Sequence, residues 1–207
     1  MNRLLSSERG MTLIEVLVTL VIMTIISSII YSVFITGIKL YQKIGIEGQL
    51  RDDADYIATM ILNELYENTP NYIEDYKDTT TGATGIRLVR FEAKTVNRYI
   101  IEESTATATD IYIFYLNNQF YVREMNPDGS EKETREISVD TSNTTSTTVD
   151  GTPETTDISI GQCSSNDSNG HCTHGTIALS IVIEDDKSNN SSLLETKPLI
   201  LKSTFGF

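Results

Sequence analysis

The chain has 207 residues, 39% of them hydrophobic, and carries 29 acids against 16 bases for a net charge of -13. That size allows one ordinary domain plus an additional element, and the composition excludes a collagen-like or wholly disordered chain. The acidic balance disfavours binding of nucleic acid over the whole surface, because phosphate would be repelled. Residues 1–10, MNRLLSSERG, are polar and carry Arg3 and Arg9. In residues 11–38 Glu15 is the only Asp, Glu, Lys, Arg or His. As a helix this run extends roughly 42 Å, against about 30 Å of bilayer hydrocarbon. It is therefore read as a membrane-spanning helix, with residues 1–10 cytoplasmic and the rest extracytoplasmic by the positive-inside tendency. A cleaved secretory signal fits less well, since the run is too long and no small-residue cleavage site follows it.

The apolar stripe continues past Lys39. Leu50, Ala54, Ile57, Ile61 and Leu65 recur at spacings of three and four, one face of an amphipathic helix over residues 39–69. Gly45 and Gly48 interrupt it, either as a weak stretch of helix or as a hinge. The helix is expected to end near Asn68-Thr69-Pro70, because proline disfavours helix in the residue before it. Beyond it the period becomes that of strands. Residues 72–83 read as a loop, 86–91 and 99–101 as strands, and 104–109 as loop or edge strand. Residues 111–116 and 119–124 flank Asn117-Asn118 and form a hairpin, since asparagine tolerates the positive φ of a tight turn. Residues 125–129, MNPDG, read as a turn. Residues 141–156, TSNTTSTTVDGTPETT, lack the apolar surface to offset their ordering and read as a flexible loop. The alternation of Ile177, Leu179, Ile181 and Ile183 marks a strand, 187–192 a polar turn and 199–205 a last strand. The expected class is α+β: a long N-terminal helix packed on an antiparallel β-sheet in a head of residues 70–207.

Few residues point to chemistry. Cys163 and Cys172 enclose a short loop that also holds His171, with His174 just beyond. The pair reads as a disulfide ahead of free thiols. Zinc ligation by Cys163, His171, Cys172 and His174 ranks last, because the spacing does not suit the usual paired ligand arms. The acids near Asp128 and at Asp185-Asp186 do not match the twelve-residue calcium loop and read as turn and solvated face. In the basic stretch Arg87, Arg90, Lys94 and Arg98, a strand would send Arg87 and Arg90 to opposite faces, so DNA contact is not favoured. No nucleophile elbow, zinc-protease helix or phosphate loop is present. No cofactor, metal or catalytic role is expected.

The stretch Arg9-Gly10-Met11-Thr12-Leu13-Ile14-Glu15-Val16-Leu17 resembles the type IV prepilin leader, shared by type IV pilins and by type II secretion and competence pseudopilins. The resemblance covers only the leader and the apolar run. It implies that a membrane prepilin peptidase cuts after Gly10 and methylates the new N-terminal Met11, so that the helix stays in the mature protein. The same likeness implies that Glu15 meets the exposed amine of a neighbouring subunit when stems leave the bilayer and stack. Such a buried charge needs a partner. The family usually has Phe where Met11 stands, and many major pilins have Pro where Ser32 stands. The second departure leans towards a minor subunit, most like the J-type minor pseudopilins. Expected partners are the peptidase, other pilin or pseudopilin subunits, the inner or cytoplasmic membrane assembly platform, and the membrane itself before assembly. A DNA- or surface-binding tip subunit and an unrelated bitopic cell-surface protein are the competing readings.

Overall fold

The computed structural model describes residues 12–96, 99–139, 142–144, 146–149, 151–185 and 197–207. The chain divides into two compact units, Met1–Gly45 and Ile46–Phe207. One 55-residue helix, α1, runs from Leu13 to Glu67. It is followed by strands β1 (Tyr72–Lys77), β2 (Thr84–Val96), β3 (Tyr99–Leu116), β4 (Gln119–Met125), β5 (Glu131–Ile137), β6 (Ser142–Thr144), β7 (Ser146–Val149), β8 (Thr152–Thr155), β9 (Asp157–Asn166), β10 (Cys172–Asp185) and β11 (Leu199–Gly206). The main sheet has the order β11-β10-β1-β2-β3-β4-β5, with β6 and β9 also pairing β10, and β7 and β8 form a separate hairpin. Every described pairing is antiparallel. The architecture is thus the expected α+β one, a long N-terminal helix followed by an antiparallel sheet.

In the first unit no residue from Thr12 onward is buried. Leu13 is 85% exposed, and Leu20, Met23, Ile30 and Phe34 are each more than 60% exposed. An 18-residue window of the helix reaches a mean hydropathy of 2.6. A helix apolar on all sides requires an apolar surrounding. Its hydroxyls do not spoil that fit. Thr19, Thr24 and Thr36 donate to the carbonyls of Val16 (2.9 Å), Val21 (2.8 Å) and Ser32 (2.9 Å), so these polar groups are satisfied within the helix. The backbone remains α-helical through Gly45 and Gly48, and a Cβ at either position would meet nothing within 4 Å.

In the second unit Leu50, Ala54, Ile57, Ala58, Ile61 and Leu65 of α1 are buried. They pack on one face of the sheet. Its inward side chains follow from the two-residue period: Ile73 of β1, Ile86 and Leu88 of β2, Ile111 and Ile113 of β3, Phe120 and Val122 of β4. Cross-strand register sets these in rows, Ile73–Leu88–Ile111 and Ile86–Ile113–Val122. Ile177, Leu179, Ile181 and Ile183 of β10 extend the same core. The second row ends on Arg135 of β5, opposite Val122. Arg135 forms an ion pair there with Glu64, whose side chain is 6% exposed. Asn68 supports the same residue, its amide donating to the Glu64 carbonyl at 3.1 Å. A carboxylate held this deep needs its cation, and losing the cation costs more than the pair itself contributes.

The hairpin at Asn117-Asn118 forms as expected, with φ of 50° and 66°, the pair of positive values that a tight two-residue turn demands. Three expectations need correction. Residues 72–77, read as loop, form β1, because Ile73 is buried between Leu88 and the core while Tyr72, Glu74 and Tyr76 face outward. The segments 99–101, 104–109 and 111–116 are one strand, β3, that follows β2 through two register shifts. Residues 141–156, read as a flexible loop, instead hold β6, β7 and β8; Gly151 at φ 81° sits in the connection between β7 and β8. β-branched threonines suit such strands, and Thr144 and Thr156 are buried there. The polar turn expected at 187–192 lies outside the described residues.

On the outer face, Gly85 stands between Tyr76 and Phe114 in cross-strand register. Their rings approach to 5.9 Å across it. A Cβ at Gly85 would lie 2.1 Å from the Ile113 carbonyl oxygen, so glycine is required there.

Removing Arg135 isolates the Glu64 carboxylate. Arg135→Met is expected to lower head stability by about 2 kcal/mol, measured by denaturant unfolding of the full chain in micelles. The double variant Glu64→Leu/Arg135→Met should return to within about 1 kcal/mol of the parent. Equal losses in the single and double variants would remove this account of Glu64.

Candidate functional site

Two places combine residues that the fold does not need for packing alone. The first is the start of α1. Gly10 and Met11, the expected processing positions, lie outside the described residues. Thr12 is the N-cap and Glu15 occupies the third helical position. The Thr12 N–H donates to Glu15 Oε2 at 2.9 Å, and the Thr12 hydroxyl donates to the same oxygen at 3.1 Å. In return the Glu15 N–H approaches Thr12 Oγ1 at 3.4 Å. This is a reciprocal capping box. It satisfies an otherwise orphaned N–H and sets a negative charge at the positive end of the helix dipole. Glu15 therefore has a task inside its own chain. The pattern Thr-x-x-Glu at residues 12–15 is visible in the sequence and signals it.

The second place is on the outer face of the head. Cys163 of β9 and Cys172 of β10 are joined in a disulfide, with Cα atoms 5.7 Å apart. Both sulfurs are thereby removed from metal ligation, which excludes the four-ligand zinc reading. Among the described residues no group of three or more His, Cys, Asp or Glu is arranged to hold a metal ion. The disulfide closes a loop whose turn is tied by Asp167: its carboxylate accepts the N–H of Asn169 at 2.8 Å and of His171 at 2.9 Å. Gly170, at φ 91°, completes the turn.

This loop delivers His171 to the sheet. The imidazole stacks on Tyr72, with ring centres 4.3 Å apart. Nδ1 lies 2.8 Å from Asp167 and Nε2 lies 3.1 Å from Glu74. The other Glu74 oxygen accepts Arg87 at 3.1 Å, and Arg87 donates to Asp110 at 2.7 Å. Asp167, His171, Glu74, Arg87 and Asp110 thus form one chain of polar contacts across β1, β2, β3 and the disulfide loop. Burial opposes ionisation of Asp167, but hydrogen bonds from His171 and from backbone N–H groups outweigh it and hold the carboxyl below its usual range. For Arg87, burial acts against the charge and the bond to Asp110 prevails, so its pKa is raised. Tyr72 is pushed up by burial and then by the Glu74 charge.

Of the basic stretch, Arg87 faces outward on β2 and is engaged by two acids, while Arg90 is exposed. The Lys94 side chain and the whole of Arg98 lie outside the described residues. Asp128, singled out for its acids, accepts both the N–H and the hydroxyl of Ser130 and closes the β4–β5 turn. Asp186 lies outside the described residues.

Residues 5–31 match the family model for the prokaryotic N-terminal methylation motif. No curated protein and no solved structure matches the chain. The match supports a type IV prepilin-like leader and hence a type IV pilin-like precursor, processed by prepilin peptidase and assembled with other pilins. Together with the uncovered apolar helix it fits a single-pass, membrane-anchored protein.

The depressed Asp167 carboxyl ties the loop to pH. A folded pKa below the ordinary value, about 3.9, means that the stabilisation is complete above that value and is lost as pH falls through the folded pKa. The stability difference between the parent and Asp167→Asn should be present at neutral pH and vanish in that acid window, followed by thermal melts across pH. A difference unchanged down through that window would contradict the role given to Asp167.

Proposed function

We propose that the chain is a minor pilin or pseudopilin, a structural subunit of a type IV pilus or of a type II secretion or competence pseudopilus, most like the J-type minor subunits. The precursor inserts with residues 1–10 in the cytoplasm and the head outside. Prepilin peptidase cuts after Gly10 and methylates Met11. The apolar stems then leave the bilayer and pack against one another at the membrane assembly platform. The observation that carries this reading is an apolar helix with no buried residue from Thr12 through Gln49, directly downstream of the matched motif. Burial of such a surface is worth about 25 cal/mol per Å², and lipid and neighbouring stems both supply it. The role is mechanical rather than catalytic.

Glu15 has two partners in this scheme. In the membrane it closes its own helix through Thr12, which keeps its oxygens hydrogen-bonded in an apolar setting. On assembly it faces the amine of a neighbouring Met11, and that buried pairing sets subunit register. DNA binding has less support, because Arg87 is already matched by Glu74 and Asp110.

Mass spectrometry of the mature protein should find an N-terminus at methylated Met11. The variant Glu15→Ala should still insert in the membrane but enter filaments at no more than about a tenth of the parental level, given a pairing of several kcal/mol. An intact Met1 in the functional protein, or normal assembly of Glu15→Ala, would contradict the scheme.

A further inference from the structure

The polar chain on the outer face of the head borders a pocket of about 390 Å³. Small-ligand clefts span about 300–1,000 Å³, so this one has room for a single small ring. Its walls come from three directions. The sheet supplies Tyr72, Arg87, Phe91 and Asp110, the β4–β5 turn supplies Asn126, and the disulfide loop supplies His171. None of these side chains belongs to the hydrophobic core under α1.

Two features restrict the ligand. Among the described residues Arg87 Nε and Asp110 Oδ1 are buried and have no hydrogen-bond partner. A donor and an acceptor left unpaired side by side each carry a desolvation cost. A group that both accepts and donates would relieve it, and a hydroxyl does both. The charge balance is the second restriction. Glu74, Asp110 and Asp167 surround Arg87 and His171. Three carboxylates against one guanidinium and one imidazole leave no excess positive charge for an anion. A cation, in turn, would lie against the Arg87 guanidinium. A neutral, hydroxyl-rich ligand meets neither objection. The rings of Tyr72 and Phe91, in edge-to-face contact at 5.8 Å, add an apolar wall beside these polar groups.

We propose that this pocket is a saccharide-binding site that takes one uncharged sugar ring. The hydroxyls of the ring bond Arg87, Asp110 and the Asn126 amide, and its C–H face packs on the aromatic wall. The Cys163–Cys172 disulfide is the positioning element, since it fixes the loop that brings His171 onto Tyr72. The proposal goes beyond the filament reading and does not rest on it: the site is complete within one chain.

The test uses the full chain in amine-oxide micelles, free of sugar-based detergent, probed by saturation-transfer NMR with the methyl glycosides of glucose, galactose, mannose and N-acetylglucosamine. At least one should bind saturably, and Phe91→Ala and Asn126→Ala should each weaken it by about tenfold or more, with near-ultraviolet circular dichroism showing that the head stays folded. The double variant Cys163→Ser/Cys172→Ser should weaken it likewise. Absence of saturable binding at about 100 mM glycoside would overturn the proposal. So would binding indifferent to both Phe91→Ala and Asn126→Ala, or displacement of the sugar by inorganic phosphate or methylammonium, which would mark an ion site. Because neither cleavage nor assembly enters this measurement, its failure leaves the filament reading intact, and an unprocessed N-terminus leaves the sugar site intact.

Discussion

An apolar helix surface with nothing of its own chain to cover it is the constraint on which the rest of this protein depends. From Thr12 to Gln49 no residue of the stem is buried. Beyond it, from Leu50 to Leu65, the same helix buries one stripe against a sheet. The change is written in the side chains. Upstream, leucine, isoleucine and valine occur all round the helix; downstream they retreat to one face, and Arg51, Asp52 and Asp55 occupy the other. Water is a poor solvent for the first arrangement and a good one for the second. The polar residues of the first half obey the same rule, since Thr19, Thr24 and Thr36 turn their hydroxyls back onto the helix and Glu15 folds into its cap.

The capping box changes how the lone acid of the stem is understood. A carboxylate near the start of a membrane helix is costly when it stands alone. Bonded to the N–H and hydroxyl of Thr12, it completes the backbone hydrogen bonding that a helix start otherwise leaves open. Glu15 is then suited to two successive settings. A local bond of modest strength serves while the subunit is separate, and an exchange for a charged partner becomes favourable once the amine of another subunit is buried nearby.

The head divides its two faces between different tasks. The inner face carries aliphatic rows in register, ending on the Glu64–Arg135 pair at β5. The outer face carries tyrosines, arginines and acids, with Arg87 over the Tyr112 ring and Arg123 over the Phe114 ring. Such residues favour recognition more than packing. Much of the inner face was legible in the sequence. The spacing of Leu50, Ala54, Ile57, Ile61 and Leu65, the alternation from Ile177 to Ile183 and the Asn117-Asn118 turn each declare themselves within a dozen or so residues. What stayed hidden depends on distant partners. The segment YIEDYK of β1 has a single aliphatic residue and becomes a strand only because β2 and β10 flank it. The threonine-rich segment carries a local signal, Asp150-Gly151 between β7 and β8, that its low apolar content obscured. The contacts of Glu74, Arg87, Asp110, Asp167 and His171 join residues from three strands and a loop, and no local period announces them.

The central claim is that the stem is solvated by lipid before it is solvated by other stems. It is tested most directly by spin labels placed singly at Val18, Ile26 and Phe34, with Tyr56 as the control on the water-facing side of the head helix, in full-length protein reconstituted into liposomes. The account predicts that all three stem labels collide with oxygen and are shielded from a water-soluble nickel chelate, while the Tyr56 label shows the reverse. Stem labels as open to the chelate as the Tyr56 label would contradict it.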